Sequence, residues 1–205
     1  MARLTQLDRE RVLVAITEAE RRTAAEFAVA IASSADRYAE LRLLAPALLA
    51  IMAPPFLLAS GLLDEPLWLA SVPGLLFLAV SAALLPNAVA VRLVPPMVRE
   101  TRARRLAQTL FLELGLAAPR ERAGVLLFIA RAERRIEILA GPGIAERIDP
   151  ADWERIVDRF VRSARSGPLP AALVGAVESV ATLLSNIFPP AERNPDEVAN
   201  RLIEL

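Results

Sequence analysis

The hydrophobic pattern of this chain has its strongest feature in the middle, where two long stretches carry no charged residue. The first spans residues 43–63 and the second spans residues 67–91, with only Asp64, Glu65 and Pro66 between them. As a helix the shorter stretch is about 31 Å long, which matches the roughly 30 Å hydrocarbon core of a bilayer. The pattern therefore predicts a hairpin of two transmembrane helices. The alternative is a helical hairpin buried in a water-soluble core.

Prolines interrupt both stretches. Pro46, Pro54 and Pro55 lie in the first, and Pro73 and Pro86 lie in the second. Each proline removes a backbone donor and strains its helix, although bilayer helices tolerate this where a neighbouring helix or hydroxyl satisfies the freed carbonyls. Straight, kinked and re-entrant spans are all compatible with this pattern.

Arginines flank the hairpin on both sides, whereas the connecting turn is acidic. The positive-inside rule then places both ends of the hairpin in the cytoplasm. This predicts a multi-pass protein of the plasma (inner) membrane with cytoplasmic N- and C-terminal parts. The flanking arginines are Arg37, Arg42, Arg92, Arg99, Arg102, Arg104 and Arg105.

The arginines after the second stretch also predict a partner besides the lipid bilayer itself. Arg99, Arg102, Arg104 and Arg105 are expected near anionic lipid head groups, where each contributes about 1 kcal/mol. Nucleic acid is the competing partner of an arginine cluster. The chain balances 24 basic against 24 acidic residues and the cluster adjoins a span, which argues against nucleic acid. A protein partner or a homo-oligomer remains open.

Before the hairpin, the pattern predicts one helix and one strand. Thr5 and Asp8 have the spacing of a capping box, and apolar residues recur at helical spacing as far as Arg22. Residues 27–31 place their larger apolar side chains at alternate positions, as a strand does. Both elements belong to residues 1–40, the first part of a split domain.

After the hairpin, the pattern predicts a helix, two paired strands and two more helices. The helix covers residues 98–115; residues 124–130 are nearly all apolar, as in a strand covered on both faces, and residues 136–140 are its partner. The last two helices follow Asp149 and Pro168. These elements indicate an α/β layered domain split by its own anchor.

The chain therefore divides into four segments. Residues 1–40 and 93–188 are the two parts of the α/β domain, and residues 41–92 are the transmembrane hairpin. Residues 189–205 are polar and contain prolines, which predicts a C-terminal tail that docks loosely or stays mobile.

The chain contains neither histidine nor cysteine. This excludes disulfides, thiolate nucleophiles, cysteine-ligated zinc, imidazole metal sites and Ser-His-Asp catalysis. Any metal site would use oxygen ligands and hold calcium or magnesium. The sequence therefore assigns no catalytic residue and no metal ligand.

Charged residues at the strand ends are the candidate binding residues. Glu26 begins the first strand, where its carboxylate is expected to face a cleft or, alternatively, solvent. Glu133, Arg134, Arg135 and Glu137 are expected to form a polar patch around the predicted strand turn. Arg122 is able to hold a phosphate bidentately beside them. A charged turn in water explains the same residues without a ligand.

Three segments outside the hairpin carry a family resemblance: RRTAAEFAVAIA at residues 21–32, RAGVLLFIARAERRIEILAGPGIAERIDPADWERIVDRFV at 122–161, and PAALVGAVESVATLL at 170–184. They resemble the TPM domain, also called the TPM phosphatase domain. The resemblance covers about residues 1–33 and 98–188. Its most specific part is the strand, charged turn, strand and Gly-Ile pattern of residues 124–144.

This resemblance implies an α/β fold with a small mixed sheet and helices on both faces, here interrupted by a two-helix transmembrane hairpin. Some family members are described as acid phosphatases or calcium binders, and many have an anchor at one end. Here the anchor is internal, and the acidic residue usual before the second strand is replaced by Ala123. The family's Gly-Tyr-Gly-like turn appears as residues 141–143, Gly-Pro-Gly. The loss of an acidic ligand argues against metal binding.

The expected function is that of a membrane-anchored cytosolic TPM-like domain with a binding or assembly role at the inner membrane face and no cofactor. The alternative is a phosphatase of the TPM type that depends on calcium or magnesium. Hairpins that oligomerise into a pore are a third hypothesis. The absence of charge inside the spans argues against an ion or proton path.

Overall fold

The structure is a computed structural model, and it describes four stretches of the chain: residues 4–61, 65–117, 124–190 and 201–205. The chain divides into two compact units. One comprises Met1–Ser33 and Ala103–Leu205, and the other comprises Ser34–Arg102. The second unit is an insertion in the sequence of the first, and it contains both long apolar stretches.

Within the described stretches, the helices in chain order are α1 (Gln6–Arg22), α2 (Ala39–Ser60), α3 (Pro66–Ala83), α4 (Asn87–Leu93), α5 (Pro96–Glu113), α6 (Pro142–Ala145), α7 (Pro150–Ser166) and α8 (Leu169–Ser185). The strands are β1 (Glu26–Ala32), β2 (Gly124–Ala130), β3 (Arg135–Ala140) and β4 (Arg201–Glu204).

The strands form one mixed sheet in the order β3, β2, β1, β4. The β1 strand pairs in parallel with β2, and β2 pairs antiparallel with β3. The β4 strand pairs in parallel with the other side of β1. The predicted small mixed sheet is therefore confirmed, with β1 and β2 at its centre.

The two central strands are buried almost completely. All seven residues of β2 and six of the seven in β1 are buried. Strands covered on both faces have near-continuous apolar sequences, which is the pattern of GVLLFIA in β2. Helices therefore cover both faces of the sheet.

One face of the sheet packs against α1, α7 and α8. The α8 helix packs against α1 and α7, and its buried stripe includes Leu173, Val177 and Leu184. Phe27 and Leu127 contribute to the same core from the sheet. A hydrophobic core lies in this layer, because three amphipathic helices bury their stripes there together.

The opposite face of the sheet is closed as well. Side chains alternate between the two faces of a strand, so Ala30 and Phe128 point away from the first core; both are 0% exposed. The C-terminal half of α5 belongs to the same unit and is partly buried. Its buried residues are Ala103, Ala107, Leu110 and Phe111.

The start of α1 confirms the predicted capping box. The Thr5 hydroxyl accepts a hydrogen bond from the Asp8 backbone N–H at 3.2 Å, and the Asp8 carboxylate accepts one from the Thr5 N–H at 3.3 Å. Two backbone donors that lack partners inside the helix are thereby satisfied.

The inserted unit contains α2 and α3, which pack along each other. The second apolar stretch, residues 67–91, is divided between two helices. The α3 helix ends at Ala83, and α4 begins after Pro86, which is its N-cap. Pro86 has no N–H for a continuing helix and disfavours helical geometry at the residue before it, which explains the break.

The C-terminal residues also differ from the predicted tail. Arg201–Glu204 forms β4 at the edge of the sheet, rather than part of a loosely docked segment. The Ser33 N–H donates to the Leu205 carbonyl at 2.7 Å, and the Leu205 N–H donates to the Ile31 carbonyl at 2.9 Å. The strand forms because β1 would otherwise leave a row of unpaired backbone groups along this edge.

Candidate functional site

The helical pair α2–α3 exposes apolar side chains over most of its surface. Only 6% of the most apolar window of α2 and 0% of that of α3 are buried. Both helices are long and apolar enough to cross a membrane. The alternative of a hairpin buried in a soluble core is not what the structure contains. Apolar side chains more than half exposed are Leu43, Leu44, Leu48, Ile51, Met52, Phe56, Leu58, Leu67, Trp68, Leu75 and Leu78.

Arg42 joins the two ends of this hairpin. Its Nη2 atom donates to the Leu85 carbonyl at 2.9 Å and to Oδ1 of Asn87. Arg42 lies in the first turn of α2, whereas Leu85 and Asn87 flank the break between α3 and α4. From the sequence alone, Arg42 is identified only as a charge that flanks the hairpin. An arginine just before the first uncharged stretch and an asparagine within the second are the signal that this contact leaves in the sequence.

A second arginine, Arg102, connects the two chain ends of the inserted unit, which we call the base of the hairpin. Its Nη1 atom lies 2.7 Å from Oδ2 of Asp36, and its Nη2 atom lies 3.2 Å from Oε1 of Glu40. The Asp36 carboxylate, followed by that of Glu40, raises the pKa of Arg102 above its ordinary value. The other carboxylate oxygen of Asp36 accepts from the backbone N–H of Arg37 at 2.6 Å and of Tyr38 at 3.2 Å.

The other arginines assigned to lipid head groups differ in exposure. Arg104 and Arg105 are exposed, whereas Arg99 is half-buried. Arg102 is engaged by carboxylates of its own chain. Arg104 and Arg105 are therefore the best placed of the four predicted residues for a contact outside the chain, and that contact stays a prediction.

Glu26 lies where β1 begins, in register with Gly124 of β2. Its side chain is half-buried. At this end of the sheet the Gly124 N–H donates to the Leu116 carbonyl at 3.3 Å, and the Gly141 N–H donates to the Gly124 carbonyl at 3.0 Å. A Cβ atom at Gly124 would lie 2.9 Å from the Cα atom of Leu116, so this close approach requires glycine.

Glu133 and Arg134 lie in the turn between β2 and β3. Glu133 is only 3% exposed, which is unusual for a carboxylate, whereas Arg134 is exposed and has a φ angle of 55°. Glu137 lies on β3 opposite Phe128 and therefore on the other sheet face from Ile136. The turn thus holds Glu133 and Arg134, whereas Glu137 lies on the strand that follows it.

The structure does not bring Glu26 together with Glu133 and Arg134. The parallel register pairs Glu26 with Gly124 and Ala32 with Ala130, so the two candidate positions lie at opposite ends of β2. A strand of seven residues spans about 20 Å. Arg122, the predicted phosphate-binding residue, lies outside the described residues.

The calcium or magnesium ion implied by the family resemblance needs several oxygen ligands around one point. Among residues 4–61, 65–117, 124–190 and 201–205, no group of three or more His, Cys, Asp or Glu residues is arranged to hold a metal ion. Ala123, where the family usually has an acidic residue, lies outside these ranges. The described carboxylates therefore do not fit such a site.

The family model described as the TPM domain matches residues 86–183. Among solved structures, the chain is similar to the NMR structure of the BA42 protein from the psychrophilic bacterium Bizionia argentinensis. The TM-score is 0.61 at 15% sequence identity, over 100% of this chain and 97% of that chain. At this identity the likeness shows the fold alone. No curated protein matches the chain.

The sequence match begins after α1 and β1, yet these elements complete the same fold. The β1 strand lies at the centre of the sheet beside β2, and α1 packs against α8. Both β2 and β3, which carry the most specific part of the resemblance, lie inside the matched range. The part of the chain that matches the TPM domain model therefore folds together with α1 and β1, from which a pair of apolar helices separates it in sequence.

Proposed function

We propose that this chain is an integral protein of the inner membrane, anchored by α2 and α3, with a cytoplasmic TPM domain that has a binding or assembly role at the inner membrane face. The observation that carries the proposal is the almost complete exposure of α2 and α3, whose apolar windows are 6% and 0% buried. Exposed apolar area costs about 25 cal/mol per Å² in water. A bilayer removes that cost on all sides of the pair.

The lengths of α2 and α3 support the proposal that both helices span the bilayer. The α2 helix has 22 residues and α3 has 18. At about 1.5 Å per residue they are roughly 33 Å and 27 Å long, on either side of a hydrocarbon core of about 30 Å. Differences of a few Å are accommodated by tilting or by local thinning of the bilayer.

The distribution of charge supports the orientation. Arg42 precedes most of α2, and Arg92, Arg99 and Arg102 follow α3 within the same unit, whereas Glu65 between the helices is exposed and acidic. Short loops that carry an excess of arginine or lysine lie on the cytoplasmic side of the membrane. Both termini of the hairpin, and with them both parts of the TPM domain, are then cytoplasmic.

Anionic lipid head groups are the second partner that we propose. Arg104 and Arg105 are exposed and follow the hairpin closely, which suits an interaction of about 1 kcal/mol for each residue. Arg102 contributes differently, because Asp36 and Glu40 already neutralise it. Its role is to hold the base of the hairpin together.

A binding role suits the available side chains better than hydrolysis does. The chain has no histidine to serve as a base near neutral pH and no cysteine nucleophile. Within the described part of the chain, carboxylates do not converge on a metal position. The charge balance of 24 basic and 24 acidic residues also argues for protein or lipid partners over nucleic acid.

Extraction of membranes with alkaline carbonate tests the anchor. Membranes from cells that produce the whole chain are washed at high pH, which strips peripheral proteins and leaves integral proteins in the pellet. We expect the chain in the pellet. Release into the supernatant together with a peripheral marker would contradict the anchor.

Two further assays test the role of the cytoplasmic domain. Chemical crosslinking in intact membranes is expected to yield a species larger than the monomer, and a purely monomeric pattern would contradict assembly.

The solubilised whole chain is expected to release no phosphate from an aryl phosphate, with or without calcium or magnesium. Metal-dependent release in proportion to protein would favour the phosphatase instead.

A further inference from the structure

A cavity of about 590 Å³ lies within the sheet unit, away from Glu26. It is bordered by the turn between β2 and β3, the C-terminal end of α7 and the N-terminal ends of α1 and α8. Sites for small molecules typically have volumes of about 300–1,000 Å³. The cavity is therefore large enough for a small organic ligand.

The inner wall of this cavity is apolar. Ile129 and Phe160 line it and are 5% and 6% exposed, and Ile136 of β3 lies beside them. These side chains belong to, or pack against, the main hydrophobic core, so the surrounding strands and helices hold them in place. An apolar wall of this kind favours an apolar group of a ligand.

The rim of the cavity is basic. Arg131, Arg134, Arg135 and Arg165 line it, against Asp8 as the single acidic residue. The guanidinium groups come from the strand turn and from the last turn of α7. Arginine presents a planar fork of donors that matches carboxylate and phosphate oxygens. The excess of arginine therefore favours an anionic ligand.

Among the described residues, Asp8 forms no ion pair with the arginines of this rim. Oδ2 of Asp8 accepts from the Thr5 hydroxyl at 2.7 Å and from the Thr5 backbone N–H at 3.3 Å, within the cap of α1. In the part of the chain that the structure describes, neither Arg134 nor Arg165 forms an ion pair. These two guanidinium groups therefore keep their donors for a ligand.

The start of α8 adds to the positive potential. Leu169, its first residue, lines the cavity, and Pro168 at the N-cap provides no side-chain hydrogen bond. The N-terminal end of a helix carries a partial positive charge that favours anions nearby. The charge of the helix end and the charge of the arginines therefore have the same sign.

We propose that this cavity binds a small amphiphilic anion, namely a carboxylate or phosphate group attached to an apolar stem. The anionic group contacts the guanidinium groups of Arg134 and Arg165, and the stem lies against Ile129 and Phe160. An inorganic anion leaves the apolar wall in water, and a neutral apolar molecule leaves the basic rim without a partner. Both halves of the ligand are therefore needed.

Calorimetric titration of the whole chain, in nanodiscs of neutral phosphatidylcholine, tests this proposal. The probes are 1-naphthyl phosphate and 1-naphthoate, with inorganic phosphate and 1-naphthol as the two halves and empty nanodiscs as the blank. We expect the naphthyl anions to bind saturably. Each half should bind at least about tenfold more weakly than the naphthyl anions. Absence of saturable binding by both anions, or equally tight binding of either half, would overturn the proposal.

Charge-removing variants locate the binding. The double variant R134Q/R165Q is expected to bind the naphthyl anions about tenfold more weakly, because two charge-assisted contacts are lost. The control R162Q removes an exposed arginine of α7 that does not line the cavity, and it should bind within about twofold of the parent. A double variant that binds as tightly as R162Q would refute the site.

A space-filling variant supplies a second test that leaves the charges intact. Ala164 lines the cavity and is half-buried, so A164F places a ring where the apolar stem is expected. It should abolish binding while circular dichroism stays that of the parent. Unchanged binding by a folded A164F chain would overturn the proposal. The substitutions in R134Q/R165Q and A164F all lie outside α2 and α3, so a loss of binding in these variants is read at the cavity and not at the anchor.

Discussion

Arg102 and Asp36 form an ion pair in which Nη1 and Oδ2 are 2.7 Å apart. Asp36 precedes α2 and Arg102 lies in α5, so the pair joins the segments where the chain enters and leaves the inserted unit. Glu40, in the first turn of α2, approaches the same guanidinium at 3.2 Å. The base of the hairpin is therefore closed by side chains as well as by helix packing.

We expect R102Q to lower the thermal unfolding midpoint of the detergent-solubilised chain, measured by tryptophan fluorescence. The substitution removes the cation that balances Asp36 and Glu40. Arg105, exposed one turn further along α5, provides the control R105Q, which should leave the midpoint unchanged. Equal midpoints for both variants would contradict a stabilising role for the contacts of Arg102 with Asp36 and Glu40.

The effect of R102Q should not depend on pH in the neutral range. The neighbouring carboxylates raise the pKa of Arg102, so its stabilising contribution is complete below the ordinary pKa of arginine. That contribution is lost only as the pH rises through the raised value. The difference in midpoint between R102Q and the parent should therefore be the same at about pH 6 and about pH 9.

A second prediction concerns the start of β2. In G124A the new methyl group would lie 2.9 Å from Cα and 2.6 Å from Cβ of Leu116, and neither atom can move without the backbone. We expect G124A to destabilise the folded chain by about 1–3 kcal/mol, as overpacked sites do. The measurement is the free energy of unfolding from denaturant titration.

Gly143 provides the matched control for this prediction. A Cβ atom there has nothing within 4 Å, so G143A should change the free energy of unfolding by about 0.5 kcal/mol or less. If G124A were as stable as G143A, this would contradict the close contact between Leu116 and Gly124 of β2.

A third prediction concerns lipid binding. The variant R104Q/R105Q should retain less phosphatidylglycerol than the parent, since each exposed arginine near anionic head groups is worth about 1 kcal/mol, roughly fivefold in affinity. Native mass spectrometry of the chain released from mixed micelles counts the bound lipids. Arg159 and Arg162 are exposed on α7, so R159Q/R162Q is the control for general loss of charge. An equal loss in both variants would contradict a specific contact.

The elements that sequence analysis predicted are those whose signals are local. Thr5 and Asp8 define the start of α1 within one helical turn, and both hydrogen bonds of the box are present. Asp149 similarly accepts from the Ala151 N–H at 2.9 Å at the start of α7, with Pro150 in the first position. The continuous apolar sequence of β2 predicted its burial on both faces.

The elements that sequence analysis missed depend on distant partners. The β4 strand has only four residues, and its pairing of Leu202 with Val29 joins positions at opposite ends of the chain. Short segments of this kind carry too little periodicity to identify a strand. Pro86 was recognised as a strain on a span, but its capping of α4 depends on the turn that follows α3.

The candidate site could be predicted only in part for the same reason. Glu133 and Arg134 are neighbours in sequence, and the turn that holds both was predicted. Arg165 borders the same cavity as Arg134, but this follows from the packing of α7 beside the sheet and is not visible in sequence spacing. The contact of Arg42 with Asn87 likewise requires that α2 and α3 fold back on each other.

The anchor and its sidedness are tested most directly by cysteine labelling. The chain has no cysteine, so single substitutions E65C, between α2 and α3, and R162C, on α7, report on one position each without background. A membrane-impermeant maleimide is added to spheroplasts before and after lysis. The account predicts that E65C reacts before lysis and that R162C reacts only after it. Reaction of R162C in intact spheroplasts, or protection of E65C until lysis, would contradict a hairpin that crosses the membrane beside a cytoplasmic TPM domain.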